Sequence, residues 1–265
     1  MHRTSLTNML SHTGKKALAR GLALTLALLI GAGTAGEDPR RQLSVDSPRW
    51  LSAIGQLSVP GLKTEQGHAS HHTERCSATL ITADENAEAE LIVTAWHCLE
   101  AYRDLSKRIT FTLLPGSPAP RIISARPVAD GGSMAADWAL LRLTESVART
   151  DIPALALHPG LADTEKTVLM AGYSRDAGVG AGGRILSYDP ACRITRSNAA
   201  LGYSDCRAHK GASGGAVIQL NDDGEPLLSG IISEGDGLQD SRFVPIAVVR
   251  DALPARLSPA HPQRP

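Results

Sequence analysis

The stretch CSATLITADENAEAELIVTAWHC, residues 76–98, contains the pattern that decides the fold class. Two short apolar runs, CSATLIT and ELIVTAW, flank the polar segment ADENAEA. Short apolar runs separated by a polar segment are typical of two β-strands joined by a turn. We therefore predict a β-hairpin here, with His97 at the end of its second strand.

The same rhythm of short strands continues along the chain. RITFTLL (108–114) alternates polar and apolar residues, as a half-buried strand does, and PGSPAP after it is a turn signal. Further runs of this kind are IISARPV (122–128), DWALLRL (137–143), TVLMAGY (167–173), ILSYDPACRIT (185–195), GAVIQL (215–220) and LLSGIIS (227–233). VVRDAL (248–253) predicts a brief terminal helix. Many short strands with Gly and Pro turns and little helix predict an all-β sandwich or a pair of barrels.

The N-terminal segment, residues 1–35, has the features of an export signal. Lys15, Lys16 and Arg20 precede an apolar run that begins at Leu22, and small residues allow cleavage after Ala35. The apolar run is short for a membrane span, which needs about 20 residues. We expect a secreted or periplasmic protein without a stable membrane anchor, the alternative being an uncleaved anchor.

Charge argues against a nucleic-acid partner. Residues 1–35 hold four basic residues and no acidic one, so the rest of the chain has 23 basic and 27 acidic residues, a net charge of −4. Such a balance offers no basic field for a phosphate backbone. The class of partner must therefore be inferred from the candidate site residues. Residues 36–49 are either an irregular arm or a propeptide, and residues 254–265 are predicted to be a disordered tail.

The four cysteines, Cys76, Cys98, Cys192 and Cys206, are an even number in a chain with an export signal. This predicts two disulfides, for which three pairings are possible. Zinc sites usually contain close pairs such as CxxC, which are absent here. The histidine-rich stretch GHASHH (67–72) is an alternative metal site, but we expect it to be a solvated loop. No metal is predicted.

Three residues carry the types needed for nucleophilic catalysis. His97 follows a predicted strand, Asp137 opens another, and Ser213 lies among glycines in GASGG (211–215). A serine hydroxyl needs a base within hydrogen-bond reach, and His97 could take its proton. A buried Asp137 would fix the tautomer of that histidine and stabilise its cationic form. The glycines permit a tight turn that aims the N–H groups of Gly211 and Ser213 at a developing oxyanion.

At these residues the sequence resembles the trypsin/chymotrypsin-like serine protease family. TAWHC is similar to the family's TAAHC, DWALLRL to DIALL, and GASGG to GDSGG. The resemblance implies two antiparallel six-stranded β-barrels with the active site in the cleft between them. The N-terminal barrel would occupy residues 50–150 and the C-terminal barrel, with the terminal helix, residues 151–253. It also implies the disulfides Cys76–Cys98 and Cys192–Cys206.

Differences from the family pattern indicate which branch of the family the sequence resembles. In trypsin, the Asp directly before the catalytic Ser pairs with the new N-terminus that zymogen cleavage releases. The corresponding residue here is Ala212, so we expect this activation mechanism to be absent. The spacing from Cys206 to Ser213 resembles the bacterial trypsin-like and glutamyl-endopeptidase-like branch. SGIISEG (229–235) is similar to the family's substrate-binding strand.

Candidate substrate-binding residues follow from this resemblance. Ser233, Glu234 and Gly235 would line the cleft and pair with the substrate as an added strand. Arg207 stands where trypsin has its pocket Asp, so a preference for Arg or Lys is not supported. Arg207 could favour an acidic side chain or point to solvent, while Glu234 and Asp236 favour the opposite charge, so the pocket stays undecided.

Two other functions are compatible with some of these residues. GASGG also fits the nucleophile elbow of an α/β-hydrolase esterase, but that fold needs the order Ser, acid, His, and only His261 follows Ser213. The second alternative is an inactive protease-like scaffold that binds a protein partner. Because all three triad residues are present, we favour an active serine endopeptidase that forms an acyl-enzyme. We expect it to act as a monomer on a protein or peptide, with no cofactor.

Overall fold

The computed structural model describes residues 37–65, 67–82, 88–103 and 106–253. These residues contain fourteen β-strands, one α-helix and short 3₁₀ turns. The export signal predicted for residues 1–35 and the tail predicted for 254–265 lie outside them. The described residues from Asp38 onward form one compact unit. No helix within the described residues is long and apolar enough to cross a membrane.

The first barrel is built from six antiparallel strands. After the two-residue strand β1 (Arg41–Gln42) and a 3₁₀ turn at Arg49–Ala53, they are β2 (Ile54–Glu65), β3 (His68–Thr82), β4 (Ala89–Thr94), β5 (Ile109–Leu113), β6 (Arg121–Asp130) and β7 (Ala139–Val147). β2 pairs with β3 and β5, β4 pairs with β3 and β7, and β6 pairs with β5 and β7. These pairings close the sheet on itself.

The second barrel closes in the same way. Its elements, with the connecting strand β8 before them, are β8 (Leu155–Leu157), β9 (Thr167–Gly172), β10 (Ser187–Ser197), β11 (Gly202–Ser204), β12 (Ala216–Leu220), β13 (Pro226–Gly235), β14 (Ser241–Pro245) and the helix α1 (Ile246–Ala252). β9 pairs with β10 and β12, β11 with β10 and β14, and β13 with β12 and β14. β8 runs parallel beside both β3 and β13 and so joins the two barrels.

The chain's two phenylalanines show how a sequence poor in aromatics fills two cores. Phe111 lies in the first barrel and Phe243 in the second, and both are buried. A Cβ atom at Gly55 would lie 2.4 Å from the Phe111 ring, and one at Gly202 would lie 2.1 Å from the Phe243 ring. The glycines therefore provide the space that each ring occupies, as close packing of protein interiors requires.

The all-β prediction and the two-barrel architecture are confirmed, and both apolar runs of residues 76–98 form strands that pair as a hairpin. One local expectation is wrong. GHASHH, expected to be a loop, lies in the β2–β3 hairpin, because β2 pairs with β3 in register from Ile54↔Thr79 to Glu65↔His68. That pairing satisfies the backbone while the side chains stay largely exposed, which the polar sequence alone did not distinguish from a loop.

The N-terminal arm is bound to the second barrel. β1 pairs antiparallel with β10, and Gln42 Nε2 donates a hydrogen bond to the carbonyl of Val179, 2.9 Å away. Arg40 just before β1 is buried. The described part of the predicted 36–49 segment is thus packed against the barrel.

Candidate active site

His97 is held at the rim of the first barrel by a turn and a disulfide. β4 ends at Thr94, and a 3₁₀ turn at Trp96–Cys98 lifts the histidine out of the sheet. The bridge Cys76–Cys98, with 6.2 Å between Cα atoms, fastens that turn to β3. The second predicted bridge, Cys192–Cys206, is also present, so both disulfide pairings are confirmed.

Asp137 lies directly before β7, fully buried, with both carboxylate oxygens directed at His97. Oδ1 accepts a hydrogen bond from the backbone N–H of His97 at 2.9 Å, and Oδ2 lies 2.9 Å from His97 Nδ1. Because one carboxylate binds both backbone and ring, it fixes the position and the orientation of the imidazole. A proton on Nδ1 leaves Nε2 as the basic atom.

Ser233 adds a third partner that the sequence reasoning assigned only to substrate binding. Its hydroxyl donates a hydrogen bond to Asp137 Oδ2 at 2.5 Å and accepts one from Arg242 Nη2 at 3.2 Å. The hydroxyl of this groove residue is therefore bonded to the carboxylate. No local sequence signal predicts this contact, because β13 and Asp137 belong to different barrels.

The pKa values of the pair follow from these contacts. Burial by itself would lower the pKa of His97, but the hydrogen bond to Asp137 and the charge of that carboxylate outweigh it and raise the pKa. Burial alone would raise the pKa of Asp137, yet hydrogen bonds from His97 and Ser233 hold the pKa of that carboxyl below its ordinary value. The arrangement keeps Asp137 ionised and makes His97 a stronger base than free imidazole.

The turn around Ser213 contains the two N–H groups that were predicted to bind an oxyanion. Gly211 has φ +97°, a conformation that favours glycine, and its N–H and that of Ser213 have no hydrogen-bond acceptor among the described residues. Their carbonyls accept hydrogen bonds from Ser77 of β3. Unpaired N–H groups beside a nucleophile are the donors that an oxyanion hole needs.

Ser77 is a functional residue that the sequence reasoning missed. Its hydroxyl donates to the Gly211 carbonyl at 2.8 Å, and its N–H donates to the Ser213 carbonyl at 2.8 Å. The same hydroxyl accepts the N–H of Tyr173 at 2.8 Å. The only available signal was a small polar residue beside a cysteine in an otherwise apolar run. Ser77 thus holds the turn of the second barrel against the first.

Two grooves meet at Ser213 and His97. The β13 groove, about 440 Å³, is lined by Met134, His209, Lys210, Ser233, Glu234 and Gly235. The β3 groove, about 390 Å³, is lined by Lys63, His72, Glu74, Arg75, Glu100, Arg175, Lys210 and Gly211. Ser213 and His97 line both. No hydrogen bond joins the Ser213 hydroxyl to the His97 ring in this part of the structure, and in unliganded sites that bond is often long.

Of the four predicted substrate-binding residues, three line the β13 groove: Ser233, Glu234 and Gly235. The carboxylate of Glu234 is 3.2 Å from Arg242 Nη2, so its charge is partly compensated. Glu234 and Gly235 pair with β14 along one edge, Ser233 lies at an irregularity in that pairing, and no described strand pairs with the other edge of these residues. That edge can accept an extended peptide as an added strand.

Arg207 requires a correction, because it lines neither groove. Its Nε donates to the carbonyl of Leu238 at 3.0 Å, and its Nη1 lies 3.7 Å from Asp38 Oδ1. The guanidinium thus contacts the N-terminal arm at Asp38 and the loop at Leu238 and does not point into a groove or freely into solvent. Position relative to Ser213 could not reveal this, because Asp38 is distant in sequence.

A metal has no obvious place at the site. Cys76, His97 and Cys98 lie close enough to be a ligand group, but the two cysteines are bonded to each other and have no thiolate to donate. In the histidine-rich strand, His72 Nε2 lies 3.3 Å from Glu74 Oε2.

Comparisons with known proteins agree with this geometry. The family model for the trypsin-like peptidase domain matches residues 76–227. Among solved structures, the chain is similar to a thermostable serine protease, AL20, from an extremophilic microorganism, with a TM-score of 0.57 and 18% sequence identity. That match covers 80% of this chain and 100% of the other, and at this identity it shows a shared fold. No curated protein matches the chain.

Proposed function

Because the chain belongs to the family of trypsin-like peptidase domains, we propose that it is a secreted serine endopeptidase with Ser213 as nucleophile, His97 as general base and Asp137 as the group that orients it. One observation carries the proposal. His97 from the first barrel, bound from behind by the buried Asp137, and Ser213 from the second barrel line the same two grooves. Grooves on both sides of the nucleophile suit cleavage within a chain rather than at its end.

The residues perform the reaction in two stages. Ser213 Oγ attacks the scissile carbonyl while its proton passes to His97 Nε2, and the N–H groups of Gly211 and Ser213 bind the oxyanion. His97 then protonates the leaving amine, and an acyl-enzyme remains on Ser213. Water, deprotonated by His97, hydrolyses the ester and regenerates the serine. Each oxyanion donor contributes about 3–4 kcal/mol to transition-state stabilisation.

Export is part of the proposal. The predicted signal at residues 1–35 would direct the chain out of the cytoplasm, and two disulfides are suited to an oxidising compartment.

A fluorophosphonate probe tests the function directly. We expect the mature protein to gain the mass of one probe on Ser213 and the Ser213→Ala variant, checked for folding by circular dichroism, to gain none. The variant should also lose hydrolysis of a denatured protein by several orders of magnitude. A folded wild-type protein that is neither labelled nor active would support the inactive-scaffold alternative instead.

A further inference from the structure

The β3 groove is rich in cations without partners. Lys63, Arg75, Arg175 and Lys210 line it, and none of the four forms an ion pair with a carboxylate among the described residues. Two acidic side chains, Glu74 and Glu100, also line the groove, and Glu74 lies next to His72. The groove therefore carries a net positive charge.

One of these cationic side chains, Arg175, lies directly beside the proposed oxyanion hole at Gly211. A Cβ atom at Gly211 would lie 2.7 Å from Arg175 Cγ, so the stem of that arginine packs directly on Gly211. Arg75 and Arg175 also line a neighbouring cavity of about 280 Å³, which Arg184 borders as well. The cationic surface thus continues from Ser213 away from β13.

The two grooves receive opposite flanks of a bound peptide. Glu234 and Gly235 present an open strand edge to the β13 groove, and under the proposed function this edge pairs with the flank that precedes the scissile bond. An extended chain that crosses Ser213 must then place the following residues, at about 3.3 Å per residue, in the β3 groove. Those residues meet Arg75, Arg175 and Lys210.

We propose that the β3 groove is a subsite for acidic side chains in the first few residues after the cleaved bond. This inference rests on the proposed endopeptidase function. Arginine suits it because the planar guanidinium can bind a carboxylate through two hydrogen bonds. An acidic leaving segment would be bound through Arg75 and Arg175, and complementary charge would also speed its association.

Matched quenched peptides test the subsite. One peptide carries Asp and Glu in the three positions after the bond, a second carries Asn and Gln there, and a third has the acids moved to the preceding positions. We expect kcat/KM for the first to exceed that for the second by about fivefold or more at low salt, with most of the gain lost in 0.5 M NaCl because salt screens exposed charges. The third should show no such gain.

Variants assign the effect to residues. Arg75→Gln and Arg175→Gln should each reduce the ratio between acidic and amide peptides, and the double variant should bring it near one. Arg126→Gln, an exposed arginine on β6 that lines neither groove, is the matched control and should keep the ratio. Equal hydrolysis of the first two peptides by wild type overturns the subsite. Failure to cleave any peptide, together with no probe labelling, overturns the proposed function instead.

A second inference comes from the buried arginine of the N-terminal arm. The Arg40 side chain is 2% exposed and forms hydrogen bonds to two carboxylates. Its Nε and Nη2 reach Asp38 at 3.0 and 2.7 Å, and its Nη1 and Nη2 reach Asp176 at 2.8 and 3.0 Å. Burial would raise the pKa of Asp176, but the bonds from Arg40 and Gly180 lower it to about 2.

Asp38 and Asp176 are both connected to residues 207–213, which we call the oxyanion loop. Arg175, the neighbour of Asp176, donates its N–H to the Lys210 carbonyl at 2.7 Å. Asp38 lies 3.7 Å from the guanidinium of Arg207. One buried cation in the arm is therefore connected to the loop at two points.

We infer that Arg40 is a positioning residue that holds the oxyanion loop in place without a newly released N-terminus. Ala212 has no carboxylate with which such a terminus could pair. The arm from Asp38 onward then belongs to the working enzyme and is not a removable propeptide.

Arg40→Met removes the charge and keeps the length of the side chain. At a temperature where the variant is folded by near-UV circular dichroism, we expect kcat and the rate of probe labelling to fall at least tenfold, with KM changed less and Arg40→Lys partly restoring both. Arg142→Met, which breaks a partly exposed ion pair with Glu90 in the first barrel, controls for general destabilisation. A folded Arg40→Met protein with wild-type kcat and labelling rate would overturn the inference.

Discussion

At the scale of single residues, the candidate site depends on a buried carboxylate that is fully hydrogen-bonded. Asp137 binds His97 twice and Ser233 once, and its charge is stable in a buried position because each oxygen has a donor. The histidine ring is oriented by this carboxylate, while the turn and the Cys76–Cys98 disulfide hold its backbone. Changes at Ser233 should therefore be transmitted to the chemistry through Asp137.

Removal of the Ser233 hydroxyl should slow the reaction without unfolding the protein. Ser233→Ala takes one donor from Asp137 Oδ2, so the carboxylate can shift away from His97 Nδ1. We expect kcat to fall about tenfold, equivalent to about 1.4 kcal/mol, with a smaller change in KM. Steady-state kinetics on a neutral peptide measures this, and an unchanged kcat would show that Ser233 only lines the cleft.

The pH profile should report His97. Its pKa is raised in the folded protein, and only the neutral ring can accept the proton of Ser213, so activity is present above that pKa and lost as pH falls through it. We expect kcat/KM to fall with a midpoint above about 6.5, the value for a free histidine. A midpoint below 6.5, measured on a substrate without ionisable groups, would contradict this environment for His97.

At the scale of elements, β3 connects the two halves of the site. It carries Cys76, which anchors the histidine turn, and Ser77, which binds the carbonyls of Gly211 and Ser213. One strand of the first barrel thus holds both the base and the nucleophile turn. The hairpin that it forms with β2 continues past the site and contributes Lys63 and Arg75 to the β3 groove.

Ser77→Ala should weaken the junction of the barrels. It leaves the Gly211 carbonyl and the Tyr173 N–H without their side-chain partner in a buried position. An unpaired buried group costs about 1–3 kcal/mol, so we expect the free energy of unfolding to fall by at least that and kcat to fall with it. Denaturant titration measures the first effect. Ser52→Ala, which loses only a hydrogen bond to the Arg49 carbonyl near the surface, should change neither quantity appreciably.

At the scale of the whole molecule, each barrel has its own cross-link and the junction has none. Cys76 and Cys98 are separated by 22 positions in the sequence, and Cys192 and Cys206 by 14. The barrels are joined instead by hydrogen bonds across the cleft and by β8. Stability of the site therefore depends on both halves staying folded.

Reduction should destabilise both barrels. Loops of this length are each stabilised by about 3 kcal/mol through the restriction of the unfolded chain. We expect no free thiol in the denatured, unreduced protein and a clear fall in the denaturation midpoint after reduction. Detection of four thiols before reduction would contradict the disulfide pairs.

The all-β class, the hairpin of residues 76–98 and the three candidate catalytic residues could be predicted from the sequence, because strand alternation and short motifs are local patterns. The contacts of Ser233, Ser77, Arg40 and Arg207 could be found in the folded chain alone. Ser233 meets Asp137 across 96 positions, Ser77 meets Gly211 across 134, and Arg40 meets Asp176 across 136. Such contacts arise when closed barrels pack together, and no local pattern encodes which polar side chains then face each other.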